Sequence, residues 1–235
     1  QTRALAGCLK PGMKVCALGY PDIIAPQEML VELFGTRMNY VDVREDSGSI
    51  CKRHGLRERS ILDAESMFKM LGAELHVYDI VKERGCERLC DLNEAGNLDY
   101  ARCFYDIVLD VGTIEHCFSI ANAAFNMAGM VKEGGVIIHE NPFNWPNHGF
   151  YNMNPTWYAD FYEANGFELL ECKLVTKEGQ GIDAPRAKRF KFNEGEVNVF
   201  AMARRTGVQS FVFPVQRKYA GLIPPAAGVN RAKEI

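Results

Sequence analysis

Four segments of this chain read as short strands that run into an acidic residue, and helical segments alternate with them. Glu74 to Tyr78 is followed by Asp79, Glu87 to Cys90 by Asp91, Tyr105 to Leu109 by Asp110, and Gly135 to His139 by Glu140. Such alternation predicts a mainly parallel sheet covered by helices on both faces. In an open sheet of this kind ligands bind outside the carboxyl ends of the strands, so these acids are expected to converge on one edge. Another apolar run, Met13 to Leu18, stops at Gly19 as a buried first strand would.

Apolar residues recur at helical spacing over Pro26 to Phe34, Ala64 to Leu71 and Ile120 to Val131, and Pro155 to Asn165 follows as another helix. Gly72 and Gly166 stand where helices should stop. Two further strands, Glu168 to Thr176 and Glu196 to Ala203, close the series across a polar stretch from Lys177 to Gly195. The expectation is an α/β, Rossmann-like fold whose seven-stranded, mainly parallel sheet ends in an antiparallel pair. One domain is expected over residues 1–205, with an insertion at about 35–62, and 206–235 forms a C-terminal extension containing Pro214, Pro224 and Pro225.

At 235 residues the chain is long enough for one large core and short for two. A net charge of −3 gives no basic footprint for nucleic acid. The small clusters of Arg57 with Arg59, and of Lys188, Arg189 and Lys191, read as solvated loop charges, with an acidic or phosphorylated ligand as the alternative. No apolar run approaches the ~20 residues of a membrane span and no leader pattern is visible, so the expected location is cytoplasmic. The eight cysteines show no paired CxxC spacing and are expected to be reduced and mostly buried.

Asp79 ends the second strand, where nucleotide-binding α/β folds place an acid for the ribose hydroxyls; a carboxylate can accept from both. The alternative is a plain strand-end turn acid. Asp91-Leu92-Asn93 suits an adenine, with an acid or amide for the amino group and an apolar neighbour for the ring. In Asp110-Val111-Gly112-Thr113, the glycine lets backbone approach a ligand closely.

The runs Tyr105 to Asp110, Gly112 to His116, and Met130 to His139 with its paired Gly134 and Gly135 resemble the fourth strand, following helix and fifth strand of the class I S-adenosylmethionine-dependent methyltransferases. Asn147 to Tyr151 resembles a loop of their bacterial methyltransferase-like members, and the likeness spans roughly Met13 to Ala203. It implies S-adenosylmethionine as cofactor, with Asp79 on the ribose, Asp91 and Leu92 on the adenine, and Asp110 to Thr113 beside the methionine moiety. Gly19, Tyr20, Ile80 and Asn93 complete the cofactor residues so assigned.

The first loop departs from the family's glycine-rich turn. It reads Leu18-Gly19-Tyr20-Pro21-Asp22, and proline there fixes φ and lacks an N–H. From Gly19 to Asp79 is 60 residues, twice the ~30 of a simple βαβ unit, so something is inserted. Either amides at the start of the helix near Asp63 replace the glycine loop, or Asp63 is an N-cap; a lid containing Arg44 to Ser47 is the alternative role for the insertion.

Methyl transfer needs alignment above all, and a base only for protonated acceptors. His148 is the first candidate, with His116 and Tyr151 beside it; a satisfied loop histidine is the competing reading. Glu115, His116, His139, Glu140 and His148 show no local metal-ligand spacing, so no metal is expected. The expected partner is a small-molecule or glycan acceptor, and the oligomeric state is left open. A methyltransferase-like protein without the transfer reaction is the rival function, and a nicotinamide enzyme is disfavoured for want of GxGxxG.

Overall fold

A computed structural model describes residues 1–177, 179–184, 189–192, 195–207, 210–220 and 222. Lys188, Pro224, Pro225 and most of the expected C-terminal extension lie outside the described residues. The chain divides into two compact units, Gln1–Leu89 and Cys90–Ile235.

The first unit contains α1 (Thr2–Cys8), β1 (Lys14–Leu18), α2 (Gln27–Phe34), α3 (Ser47–Arg53), α4 (Ala64–Met70), β2 (Glu74–Asp79) and β3 (Arg88–Leu89). Its strands run parallel in the order β3-β2-β1, with Lys14 opposite Glu74 and Leu18 opposite Tyr78. Val15 to Leu18 is buried without alternation, as a strand covered on both faces requires. The inserted segment folds as a 3-10 turn, Thr36–Tyr40, followed by α3, which buries Ile50 and Cys51 against Ile61. Leu62 bridges both Ile23 and Val43.

Arg44 is the polar centre of that insertion. Its side chain is only 2% exposed, and its guanidinium donates to Asp22 at 2.6 Å and, by two N–H groups, to Asp46 at 2.8 and 2.6 Å. Ser47 continues the anchorage by accepting from the Ile61 amide. Arg44 and Ser47, considered for a lid, are therefore tied into the packing of this unit.

The second unit contains β4 (Tyr105–Val111), α5 (Ile120–Met130), β5 (Val131–Pro142), α6 (Pro155–Ala164), β6 (Phe167–Thr176), β7 (Gly181–Asp183), β8 (Val197–Arg205) and α7 (Arg217–Ala220). Its strand order is β4-β5-β8-β6-β7. β4 and β5 are parallel, whereas β8 runs antiparallel to β5 on one side and to β6 on the other. The expected α/β class and terminal antiparallel pair are therefore present. Among the described residues eight strands stand where seven were expected, because Gly181–Asp183 pairs with β6 inside the polar stretch and has no apolar run to announce it.

Two strand ends also differ from expectation. β4 extends through Asp110 to Val111, and β5 continues past Glu140 to Pro142. The paired glycines serve a break in register between β4 and β5: Gly134 has φ 77°, and a Cβ on Gly135 would lie 2.9 Å from the Asp106 carbonyl oxygen. At the far end of α5, buried Arg205 donates to the carbonyl of Ala128, one of the helix's last four, and to that of Val131 at the start of β5.

Among the described residues no disulfide forms, and four of the eight cysteines are buried. Among the described residues no helix is long and apolar enough to cross a membrane.

Candidate active site

In the first unit Gly19 takes φ 76° and donates its amide to the Tyr78 carbonyl at 2.8 Å, fixing the start of the first loop. Tyr20 then sends its hydroxyl to the Asp63 carboxylate at 2.5 Å, and the same oxygen accepts from the Glu65 amide. Burial, and then the bond to Asp63, raise the Tyr20 phenol far above its ordinary range. Arg84 lies 4.4 Å from the centre of its ring. Asp63 also accepts from the Ser66 amide, so it is the N-cap of α4. The Glu65 and Ser66 amides, considered as a substitute for the glycine loop, are thus bonded to Tyr20 and Asp63.

Asp79 is the last residue of β2 and is half-buried, with Oδ1 accepting from the Val81 amide at 3.2 Å. Beside it Ile80 is 66% exposed, an unusual placement for a large aliphatic side chain at a strand end.

In the second unit Asp91 accepts both the backbone and the side-chain N–H of Asn93, at 2.9 and 2.8 Å. Asn93 in turn accepts from the Ser119 amide, and the buried Leu92 gives its carbonyl to Asn126. These residues are stapled to the start and middle of α5.

Asp110 is wholly buried in β4. One carboxylate oxygen accepts from the Thr113 and Ile114 amides, and the other from Asn141 at 3.1 Å and His139 at 2.6 Å. The geometry follows from register. Asp110 stands opposite His139, and Asn141, two residues on, shares its face of β5. Tyr158 and Tyr162, one turn apart on α6, cover the same two residues. Tyr158 donates to the Asn141 side-chain oxygen Oδ1 and Tyr162 meets His139 Nε2, both at 2.5 Å. Burial, then the Asp110 charge, raise both phenols well above their ordinary range, so they remain protonated donors. The Asp110 carboxylate can only accept, so His139 donates to it from Nδ1, while Nε2 is held by Tyr162.

The network continues to Glu115, on the 3-10 turn Ile114–His116. Asn141 donates its second N–H to Glu115 Oε2 at 3.0 Å, while buried Oε1 has no hydrogen-bond partner. Burial first, and the nearby Asp110 charge second, push this carboxyl well above the ordinary range. Oε1 points toward two imidazoles: His148 Nε2 lies 3.5 Å away and His116 Nε2 3.9 Å. The two rings are 5.0 Å apart between centres, and Trp145 meets His148 edge to face at 5.3 Å. Burial, then the neighbouring His148, lower the His116 pKa.

The loop carrying His148 is held against Glu115 by its backbone. Phe150 and Tyr151 both donate amides to the Glu115 carbonyl, and a Cβ on Gly149 would lie 2.8 Å from that oxygen. Gly149→Ala should therefore lower stability by about 1–3 kcal/mol in urea melts, as overpacking does. A loss below ~0.5 kcal/mol, within the range of ordinary surface substitutions, would mean that the contact yields freely. Tyr151 itself donates its hydroxyl to the Phe118 carbonyl at 2.8 Å. Phe118 and Phe150, both exposed, meet edge to face at 5.4 Å.

The structure thus brings His116 and His148 together and places Tyr151 on the same loop. Val111 is exposed, and Gly112, at φ 78°, lies beside Glu115, where an added Cβ would come within 3.5 Å of Oε1. Sequence reasoning grouped Glu115 with both histidines only in a metal reading set aside for want of ligand spacing, and it missed Asn141 altogether. The adjacency of Glu115 and His116 was the available signal; Asn141 had none.

Neither a protein family's sequence profile nor a curated protein matches the chain. Solved structures do. The Burkholderia thailandensis 1,6-didemethyltoxoflavin-N1-methyltransferase, with bound 1,6-didemethyltoxoflavin and S-adenosylhomocysteine, is 12% identical at a TM-score of 0.49, covering 87% of this chain and 78% of that one. A candidate methyltransferase from Bacillus halodurans C-125 is 11% identical at 0.49, covering 87% and 98%. The [4+2]-cyclase SpnF is 10% identical at 0.41, covering 87% and 79%. Such distant likeness leaves the chemistry to the chain's own residues. By the strand order of its two units, the chain has the Rossmann-like α/β arrangement that the resemblance to class I methyltransferases implies.

Proposed function

We propose that the protein is an S-adenosylmethionine-dependent methyltransferase that methylates oxygen or nitrogen on a small molecule or glycan. The observation that carries this reading is Asp79. Unlike Asp110, whose carboxylate is buried under four donors, Asp79 ends its strand half-exposed with one local amide on it and an exposed Ile80 beside it. A carboxylate of this kind suits a ribose diol, and the aliphatic neighbour suits the apolar face of a purine. The likeness to the family implies cofactor roles for Asp91, Leu92 and Gly112 as well. Asp110 acts in this reading by supporting the loop through the Thr113 and Ile114 amides.

The cofactor would supply a methyl group on a positively charged sulfur. The protein's part is to align an acceptor and to take up its proton where it has one. His148 and His116 are placed for the proton, and the exposed Phe118 and Phe150 beside them offer a surface for a planar ring or a sugar face.

The first loop favours a second reading. Tyr20 and Pro21 stand where a glycine cradle would be, and Tyr20 is bonded across to Asp63. A protein that kept the fold and lost methyl transfer would look the same at this loop. Calorimetric titration with S-adenosylmethionine and S-adenosylhomocysteine separates the two. Binding is expected, with Asp79→Ala weakening it roughly 10- to 150-fold through loss of charged hydrogen bonds. No binding of either ligand at millimolar concentration would overturn the cofactor assignment, and unchanged affinity in the variant would overturn the role of Asp79.

A further inference from the structure

The strongest unexplained feature of the second unit is the lone oxygen of Glu115. Its side chain has no solvent exposure, yet Oε1 accepts no hydrogen bond. A buried carboxylate oxygen in that state carries a cost of about 1–3 kcal/mol unless something compensates it. Two imidazole nitrogens lie next to it, at 3.5 and 3.9 Å, and the ligand atoms of Glu115, His116 and His148 all fall within 4.8 Å of one another. Both rings are partly open, with side chains 48% and 38% exposed, so an ion has a path from solvent.

We propose that Glu115, His116 and His148 form a binding site for a first-row divalent metal ion of the zinc class. Bonds of ~2.0–2.2 Å to nitrogen and oxygen in tetrahedral geometry put ligand atoms ~3.3–3.5 Å apart, so the observed separations need only a modest contraction. Two imidazoles and one carboxylate select zinc, iron or cobalt over magnesium and calcium, which prefer oxygen donors.

The surrounding groups are those a metal site requires. Asn141 holds Glu115 Oε2 and is itself fixed by Tyr158 and Asp110, which leaves Oε1 turned toward the histidines. Gly149 and the two amides on the Glu115 carbonyl bring the His148 loop into place. Gly112 leaves room beside Oε1. Three protein ligands leave at least one position for an outside oxygen or nitrogen ligand, the arrangement of catalytic rather than structural zinc. In that state the ion, and not a free imidazole, would polarise the acceptor. The site lies wholly in the second unit and does not depend on the cofactor reading.

The test is a titration of the chelator-treated full chain with cobalt(II) chloride, followed by visible absorption, with zinc chloride as competitor and no S-adenosylmethionine present. One equivalent should bind, with displacement by zinc and none by equimolar magnesium. His116→Ala and His148→Ala should each weaken binding at least ~100-fold, as loss of a ligand exceeds the ~10–100-fold of an outer-shell change. Glu115→Gln should also weaken it, and if that buried variant fails to fold, the two partly exposed histidines carry the test. His54→Ala and His76→Ala, in the other unit and paired there with Asp22 and Glu74, should leave affinity unchanged. The proposal is overturned if millimolar cobalt gives no spectrum, if the double variant of His116 and His148 binds like the parent, or if magnesium competes equally. Failure here with S-adenosylmethionine still bound would remove the metal site and leave the methyltransferase reading standing.

Discussion

Asp110→Ala should lower unfolding free energy by on the order of 3–5 kcal/mol, the largest single-site loss expected in the second unit. The substitution strands the His139 Nδ1–H, one Asn141 N–H and the amides of Thr113 and Ile114 in a place that water does not reach. Each orphaned donor costs about 1–3 kcal/mol, discounted because the loop can relax. For a chain of this size the loss corresponds to a fall in Tm of roughly 6–20 °C. Both tryptophans, Trp145 and Trp157, lie in this unit, so urea unfolding followed by their fluorescence reads it directly. Tyr162→Phe, which removes only the partner of His139 Nε2, should lose only about 1 kcal/mol. A loss below ~1 kcal/mol for Asp110→Ala would mean that the polar cluster does not hold the strands and α6 together.

The second large effect belongs to Arg44. Arg44→Met keeps the aliphatic stem but removes the guanidinium that joins the two acids, leaving Asp22 to His54 and Arg53 and Asp46 to Arg84, and should lower stability by about 1.5–3 kcal/mol, the worth of hydrogen bonds to charged groups. Hydrogen exchange of the β1 and β2 amides measures this within the first unit. Burial works to raise the Asp22 pKa, but His54, Arg44 and Arg53 together bring it below its ordinary 3.8. The bond from Arg44 likewise lowers Asp46. A carboxylate whose folded pKa is depressed stabilises the fold above its unfolded pKa and loses that contribution as pH falls through the folded value. The parent should therefore hold its stability down to pH ~4 and lose it below, whereas Arg44→Met should show a shallower acid decline. An equally steep decline in the variant would assign the acid sensitivity to other groups.

The layout of the fold was legible because it rests on local signals. Buried runs such as Val15 to Leu18, the helical spacing of Ile120 to Met130 and the stop at Gly72 each declare themselves within a few residues. Asp63 as N-cap and the departure at Tyr20-Pro21 were legible for the same reason. The polar cluster was not. Asp110, Glu115, His139, Asn141, Tyr158 and Tyr162 come from two strands, a 3-10 turn and a helix, and only the register of Asp110 with His139 brings them together. Reading Asp110 as a ligand acid past the end of its strand failed to allow for β4 running one residue beyond it, which turns its side chain into the interior. Likewise β7 is an edge pairing of three residues, specified by its neighbour β6 rather than by its own composition.

The placement of β8 bears on how the second unit comes into being. The last of the described strands lies between β5 and β6, which were made before it. As the chain leaves the ribosome, β5 and β6 each present an open row of amides and carbonyls until Val197–Arg205 arrives to join them. Such bare edges are where nascent chains pair with the wrong neighbour. The unit therefore closes late and all at once. Chains interrupted before Val197 should accumulate as aggregates rather than as a smaller folded core, and slow release of this segment would lengthen the interval in which a chaperone is needed.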